Sequence, residues 1–104
     1  MGRWAQRRLA GGGPPLPVDL IQIVSAVIDG TNFILLTYSA AVDIGDFLNS
    51  DFETVPNVRE SIDITDPAAN ELYLEYSGGA LAETAITYHG TAPGILTPQT
   101  IALT

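Results

Sequence analysis

The sequence contains no cysteine and no lysine among its 104 residues, and it has only one histidine and one tryptophan. Without cysteine the chain can form neither a disulfide nor a thiolate metal site. One imidazole, His89, is a poor basis for a zinc site, and no nucleophile motif accompanies it. No stretch approaches the roughly 20 consecutive apolar residues that a membrane-spanning helix needs. We therefore predict a protein that is neither an enzyme nor a membrane-spanning one, with His89 lying at a strand end.

Charge is distributed unevenly along the chain. Three of the four arginines lie within the first eight residues, and the fourth is Arg59. Residues 9–104 carry all twelve acidic residues and this one arginine, which leaves them with a formal charge of −11. A body of this charge repels phosphate backbones and anionic lipids. We therefore predict that the body does not bind nucleic acid.

The first 17 residues differ in composition from the rest and predict a basic arm followed by a hinge. Residues 11–17 read GGGPPLP, which is typical of a flexible turn followed by a stiff, extended spacer. Because no apolar segment follows the arginines of residues 1–10, we predict no signal peptide and expect synthesis in the cytoplasm. If the protein leaves the cell, we expect another route, for example as part of a virion or other assembled particle. We predict that the arm binds an acidic protein partner, such as a neighbouring copy. The alternatives are a loose terminus and binding to nucleic acid or a lipid surface, for which three arginines supply few phosphate contacts. The arm residues expected to make this contact are Arg3, Trp4, Arg7 and Arg8.

Apolar residues recur at every second position from residue 18 onward, which is the period of β-strands. Turn residues interrupt this pattern about every 8–12 residues, as in sandwiches and small barrels. The first strand has apolar residues on both faces, which predicts a bend or a switch between sheets within it. We predict one all-β domain over residues 18–104 with about seven antiparallel strands, at residues 18–28, 33–39, 52–55, 58–65, 71–77, 84–89 and 100–104.

Residues 29–43, DGTNFILLTYSAAVD, contain a turn glycine, an apolar strand that ends in Thr-Tyr-Ser, and a valine before an aspartate. This segment resembles the first hairpin of bacterial immunoglobulin-like and fibronectin-like modules, which occur in phage virion proteins and bacterial surface proteins. The resemblance implies an immunoglobulin-like antiparallel β-sandwich that binds, spaces or decorates. The chain departs from antibody domains because it has no cysteine pair and its tryptophan lies outside the body. The residues that carry the resemblance are Gly30, Leu35, Thr37, Tyr38, Ser39, Val42 and Asp43.

Two further groups of residues are candidate sites. Tyr73 and Tyr88 are candidate surface aromatics that could stack on sugars or anchor a protein partner, and the alternative is ordinary packing in the strands. An acidic segment supplies oxygen ligands of the kind that calcium prefers, although its spacing is not that of an EF-hand. The alternative is a solvated loop in which Asp and Asn form turns. The candidate calcium ligands are Asp43, Asp46, Asn49 and Asp51, and we predict no other cofactor.

These features together predict a non-catalytic structural or interaction protein. The leading hypothesis is a phage-type virion or decoration component that forms homo-oligomers, or part of a larger assembly, through its sandwich surface and its basic arm. The alternative is a carbohydrate- or cell-surface-binding module of the bacterial adhesin type, stabilised by calcium.

Overall fold

A computed structural model describes residues 20–104, which form seven β-strands and two short 3-10 turns. The 3-10 turns, Ile44–Asp46 and Asn49–Asp51, lie in the connection between the second and third strands. The strands are β1 (Ile23–Asp29), β2 (Phe33–Tyr38), β3 (Phe52–Val55), β4 (Ser61–Thr65), β5 (Glu71–Tyr76), β6 (Ala85–Tyr88) and β7 (Gln99–Ala102).

The strands form two antiparallel sheets, one with the order β1-β2-β5-β4 and one with the order β3-β6-β7. This is the strand order of the constant-type immunoglobulin sandwich. The predicted all-β sandwich of about seven strands is therefore confirmed. The predicted arm, residues 1–17, lies outside the described residues.

Alternation along the strands builds the core between the two sheets. In β2 and β5 every second residue is buried, and the register sets buried residues opposite buried residues. Ile34 lies opposite Leu74, and Leu36 lies opposite Leu72. Successive side chains of a strand point to opposite faces, so this parity directs one apolar set inward from both strands. Aromatic rings from the second sheet and the connection fill the interior, with Phe52 and Tyr88 fully buried and their ring centroids 5.3 Å apart.

The seam between β1 and the C-terminal segment is closed by hydrogen bonds. The Ile21 N–H donates to the Gly94 carbonyl at 2.8 Å, and the Leu96 N–H donates to the Ile21 carbonyl at 2.9 Å. Further along β1, the Thr104 N–H donates to the Ala26 carbonyl at 3.1 Å. The outer edge of β1 is therefore engaged at both ends by residues 94–104.

The other long edge of the four-stranded sheet, β4, is irregular. Glu60, just before β4, forms an antiparallel bridge with Glu53 of β3. The pairing of β4 with β5 then shifts register between Ser61 and Asp63, which leaves Ile62 as an extra residue. Strand β1 carries the same kind of irregularity at Val24. Bulges of this kind interrupt an edge and hinder the addition of a further strand.

Candidate interaction surface

The outer face of the four-stranded sheet carries large apolar side chains at its centre. The register places Leu35 of β2 between Val27 of β1 and Tyr73 of β5. Phe33 lies two residues before Leu35 on the same face of β2. None of these four side chains is buried, and Val27 is 39% exposed, whereas their sequence neighbours point into the core. We call this surface the outer face, with an apolar centre of Val27, Phe33, Leu35 and Tyr73.

Carboxylates surround this apolar centre. The register aligns Asp29, Phe33, Glu75 and Asp63 in one row across four strands. Glu71 lies on the other side, opposite Thr37. Because β-strand neighbours two positions apart share a face, all four acids belong to the outer face. The acidic frame of the outer face consists of Asp29, Asp63, Glu71 and Glu75.

Tyr73 is held rigidly at the centre of the outer face. Its hydroxyl donates a hydrogen bond to Asp29 Oδ2 at 2.6 Å, and its ring stacks on Phe33 with a centroid distance of 4.8 Å and an interplanar angle of 14°. The hydrogen bond to Asp29, assisted by partial desolvation and by the carboxylate charge, raises the pKa of Tyr73 above its ordinary value. One aromatic face is thus packed and the side chain is fixed before any partner arrives.

No cation within residues 20–104 balances the acidic frame. The one arginine of this range, Arg59, is engaged elsewhere, since it donates to the Ser77 and Gly79 carbonyls and forms an ion pair with Glu83 at 3.3 Å. The side chain of Arg59 is only 17% exposed. The outer face therefore presents uncompensated negative charge around an apolar centre.

The outside of the three-stranded sheet is different in character. Val55, Ala85 and Ala102 form one row and Glu53, Thr87 and Thr100 form the next. Apart from Glu53 and Val55, these side chains are small, and the Thr87 and Thr100 hydroxyls hydrogen-bond each other at 2.9 Å. His89 continues this side at a strand end and pairs with Glu53 at 3.5 Å. Val55 is the only large apolar side chain in these two rows, whereas the outer face of the four-stranded sheet carries the aromatic rings of Phe33 and Tyr73.

The prediction that Tyr88 is a surface aromatic is wrong. Tyr88 is fully buried, packs against Phe47 and Phe52, and accepts a hydrogen bond from the Ala92 N–H at 3.0 Å. Burial raises the pKa of its hydroxyl. The reason is strand parity, because Tyr88 lies two positions after the buried Ile86 and so points the same way.

The candidate calcium ligands act mainly as acceptors within the chain. Asp43 accepts the Gly45 N–H at 3.0 Å, and the buried Asp51 accepts the Leu48 N–H at 2.8 Å through Oδ2. The Asn49 side-chain oxygen accepts the Ser61 hydroxyl at 2.9 Å, while Asp46 is exposed. Within residues 20–104, no three carboxylate or imidazole side chains come together in a group that could hold a metal ion. Calcium binding stays a prediction.

A shallow groove of about 280 Å³ lies between the 3-10 turns and β4. Ile44, Leu48 and Ile64 contribute to its walls together with Asp63. This volume falls below the 300–1,000 Å³ that is typical of small-molecule sites. The groove is thus slightly smaller than a typical small-molecule site.

The arm residues Arg3, Trp4, Arg7 and Arg8 lie outside the described residues, so their predicted role is untested. Across residues 20–104, the structure has no helix with the length and apolar character needed to cross a membrane.

Comparisons with known proteins identify related structures but no family. No protein-family model and no curated protein matches the chain. Among solved structures, the S-layer protein rSbsC (residues 31–844) aligns with a TM-score of 0.69 at 12% identity, over 82% of this chain and 13% of that one. The surface layer protein SbsC, domains 1–6, aligns with a TM-score of 0.67 at 10% identity, over 81% and 13% of the respective chains. The chain thus spans about an eighth of these proteins, and the likeness establishes a shared β-rich fold.

Proposed function

We propose that this chain is a non-catalytic structural domain that associates with copies of itself in a larger protein assembly at a surface. The observation that carries the proposal is the outer face, where four large apolar or aromatic side chains lie together within a frame of four carboxylates. Contiguous exposed apolar surface with a polar rim is typical of protein interaction sites.

The state of the sheet edges supports association through a face. Residues 94–104 cover part of the β1 edge, and a register shift at Ile62 interrupts β4. An incoming strand would lack a regular ladder at these positions. The outer face, in contrast, is fixed in advance by the Tyr73–Asp29 hydrogen bond and the Phe33 stack, so little side-chain entropy is lost on contact.

The fold likeness supports the same proposal from a second direction. The similar solved structures are surface-layer proteins, of which this chain covers about an eighth. We therefore propose a surface-layer-like structural role. The narrower assignment to a phage-type virion or decoration component remains a prediction from the sequence.

The test is the oligomeric state of the full chain, measured by sedimentation velocity over a wide concentration range, with electron microscopy of the associated material. Val27 and Val55 offer a matched pair of variants, because they are 39% and 38% exposed and lie on the outsides of opposite sheets. We expect Val27→Glu to weaken association by about tenfold or more, and Val55→Glu to leave it near wild type. A wild-type chain that stays monomeric at every concentration would refute the proposal.

A second candidate function is carbohydrate binding, and the Phe33–Tyr73 stack on the outer face is the observation that favours it. Exposed aromatic rings can bind the apolar faces of sugars. A glycan array probed with the wild-type chain and with Tyr73→Ser tests this alternative, which requires binding that the substitution removes.

A further inference from the structure

We infer that the outer face binds the basic arm, residues 1–10, of a second copy of the chain. This inference rests on the proposed function and specifies its interface. In the inferred contact, Trp4 covers the apolar centre and the arm arginines pair with the acidic frame.

Charge complementarity favours the arm over a second outer face as the occupant. Two outer faces brought together would place eight carboxylates, four from each copy, at one interface, and no basic side chain of residues 20–104 would lie between them. Like charges at an interface strongly oppose association. Arg59 cannot relieve this repulsion, because it is committed to the loop after β5. The other three arginines of the chain all lie in the arm.

The chemistry of the arm also matches the apolar centre. Trp4 is the only tryptophan, and Arg3 adjoins it while Arg7 and Arg8 follow within four positions. Tryptophan and arginine are the residues most enriched at interface hot spots. A planar guanidinium can pair with a carboxylate and stack on an aromatic ring. The outer face offers both partners, since Glu75 lies opposite Phe33 and two residues after Tyr73 on β5.

The sequence between arm and body favours a contact with another copy. Residues 14–17 read PPLP and lie before the first described residue, Leu20, and proline-rich segments extend at about 3.1 Å per residue. The sequence predicts an extended spacer over residues 14–17, and four residues at this rise would span about 12 Å between the arm and its own body. Reciprocal exchange of arms between two copies then gives a contact with the same partners on both sides.

The test is a charge exchange in the full chain. The arm variant carries Arg7→Glu and Arg8→Glu, and the face variant carries Asp63→Arg and Glu75→Arg. Either variant alone places like charges at the inferred contact, so we expect self-association to weaken by about tenfold or more. In an equimolar mixture each arm meets a face of opposite charge, and we expect association to return. The control variant, Asp46→Arg with Glu53→Arg, changes the net charge equally away from the outer face and is expected to associate like wild type.

Trp4 provides an independent readout, because it is the only tryptophan. We expect its emission to shift to shorter wavelength when the wild-type chain or the mixture associates, and to remain that of exposed indole in either variant alone. Circular dichroism confirms that each variant retains the β-sheet fold.

The possible outcomes separate the inference from the proposed function. A monomeric wild type refutes both. If the wild type associates and both the arm variant and the face variant associate as well as the wild type does, the inference alone is overturned. The same holds if the control variant is impaired as much as the face variant. A mixture that fails to recover also overturns it, because an arm folded onto its own body would give that result.

Discussion

Removing the Arg59 side chain is expected to destabilise the sandwich substantially. Arg59 donates through Nε and Nη2 to the Ser77 carbonyl, through Nη2 to the Gly79 carbonyl at 2.8 Å, and through Nη1 to Glu83 at 3.3 Å. Two glycines with positive φ, Gly78 at 95° and Gly79 at 92°, turn this loop so that its carbonyls face the guanidinium. The side chain thus connects the approach to β4 with the loop between β5 and β6.

The magnitude follows from the loss of the charge-assisted hydrogen bonds and of the ion pair with Glu83, although water can partly replace the guanidinium at the exposed Ser77 and Gly79 carbonyls. Hydrogen bonds to charged groups contribute about 1.5–3 kcal/mol each, but several bonds from one side chain do not add fully. The Glu83 side chain is only 4% exposed, and removing Arg59 would leave this buried carboxylate without its ion-pair partner. We expect a loss of about 2–4 kcal/mol in the free energy of unfolding, against a typical total of about 5–15 kcal/mol for a small domain.

Urea denaturation followed by circular dichroism measures this loss, with Arg59→Lys as the matched control. Lysine keeps the charge near Glu83 but lacks the planar fork that reaches several acceptors, so we expect a loss of about half as much. The reasoning is refuted if Arg59→Ala unfolds within about 0.5 kcal/mol of wild type, which is the range of an ordinary surface substitution.

Three further predictions concern the core and pH. Burial raises the pKa of Glu83, but backbone N–H donors and Arg59 outweigh this effect and hold the pKa below the ordinary 4.5. The free energy of unfolding should therefore fall as the pH drops below 4.5, and it should fall less steeply in Glu83→Gln. Urea denaturation midpoints measured across pH test this. Tyr88→Phe leaves the buried Ala92 N–H without an acceptor and should lower the free energy of unfolding in urea by about 1–3 kcal/mol. Tyr38→Phe should be near neutral, because the Tyr38 hydroxyl has no hydrogen-bond partner among residues 20–104. Equal losses in the two variants would contradict this. Gly90→Ala would bring a Cβ to 2.6 Å from the carboxylate of a buried aspartate, and thermal unfolding should show a loss of about 1–3 kcal/mol.

The strands were largely predictable from the sequence, because alternation and turn residues are local signals. The predicted strand at residues 52–55 matches β3, and the segments at 33–39 and 71–77 each exceed β2 and β5 by one residue. The bend expected in the first strand corresponds to the register shift at Val24. The outward position of Tyr73 also followed from its alternation with Leu72 and Leu74.

The arrangement of the outer face was not predictable in the same way. Which acids flank Tyr73 depends on the pairing of β4 with β5 and of β1 with β2, and the register shift in β4 does not appear in the periodicity. The loop contacts of Arg59 likewise join residues about 20 positions apart. The burial of Tyr88 was within reach, however, since its parity with Ile86 already indicated the core.

The closed seam beside β1 has a mechanical consequence. Ile21 bridges Ile95 in parallel, and Thr104 bonds to Ala26 and Ile28 further along the same strand. A tether attached before residue 21 and another attached after residue 104 would therefore leave the sandwich at opposite poles. Tension between them pulls the two parallel segments past each other, so their hydrogen bonds must break together instead of opening one by one. The sandwich should consequently resist stretching along its length with a slow rate of forced unfolding.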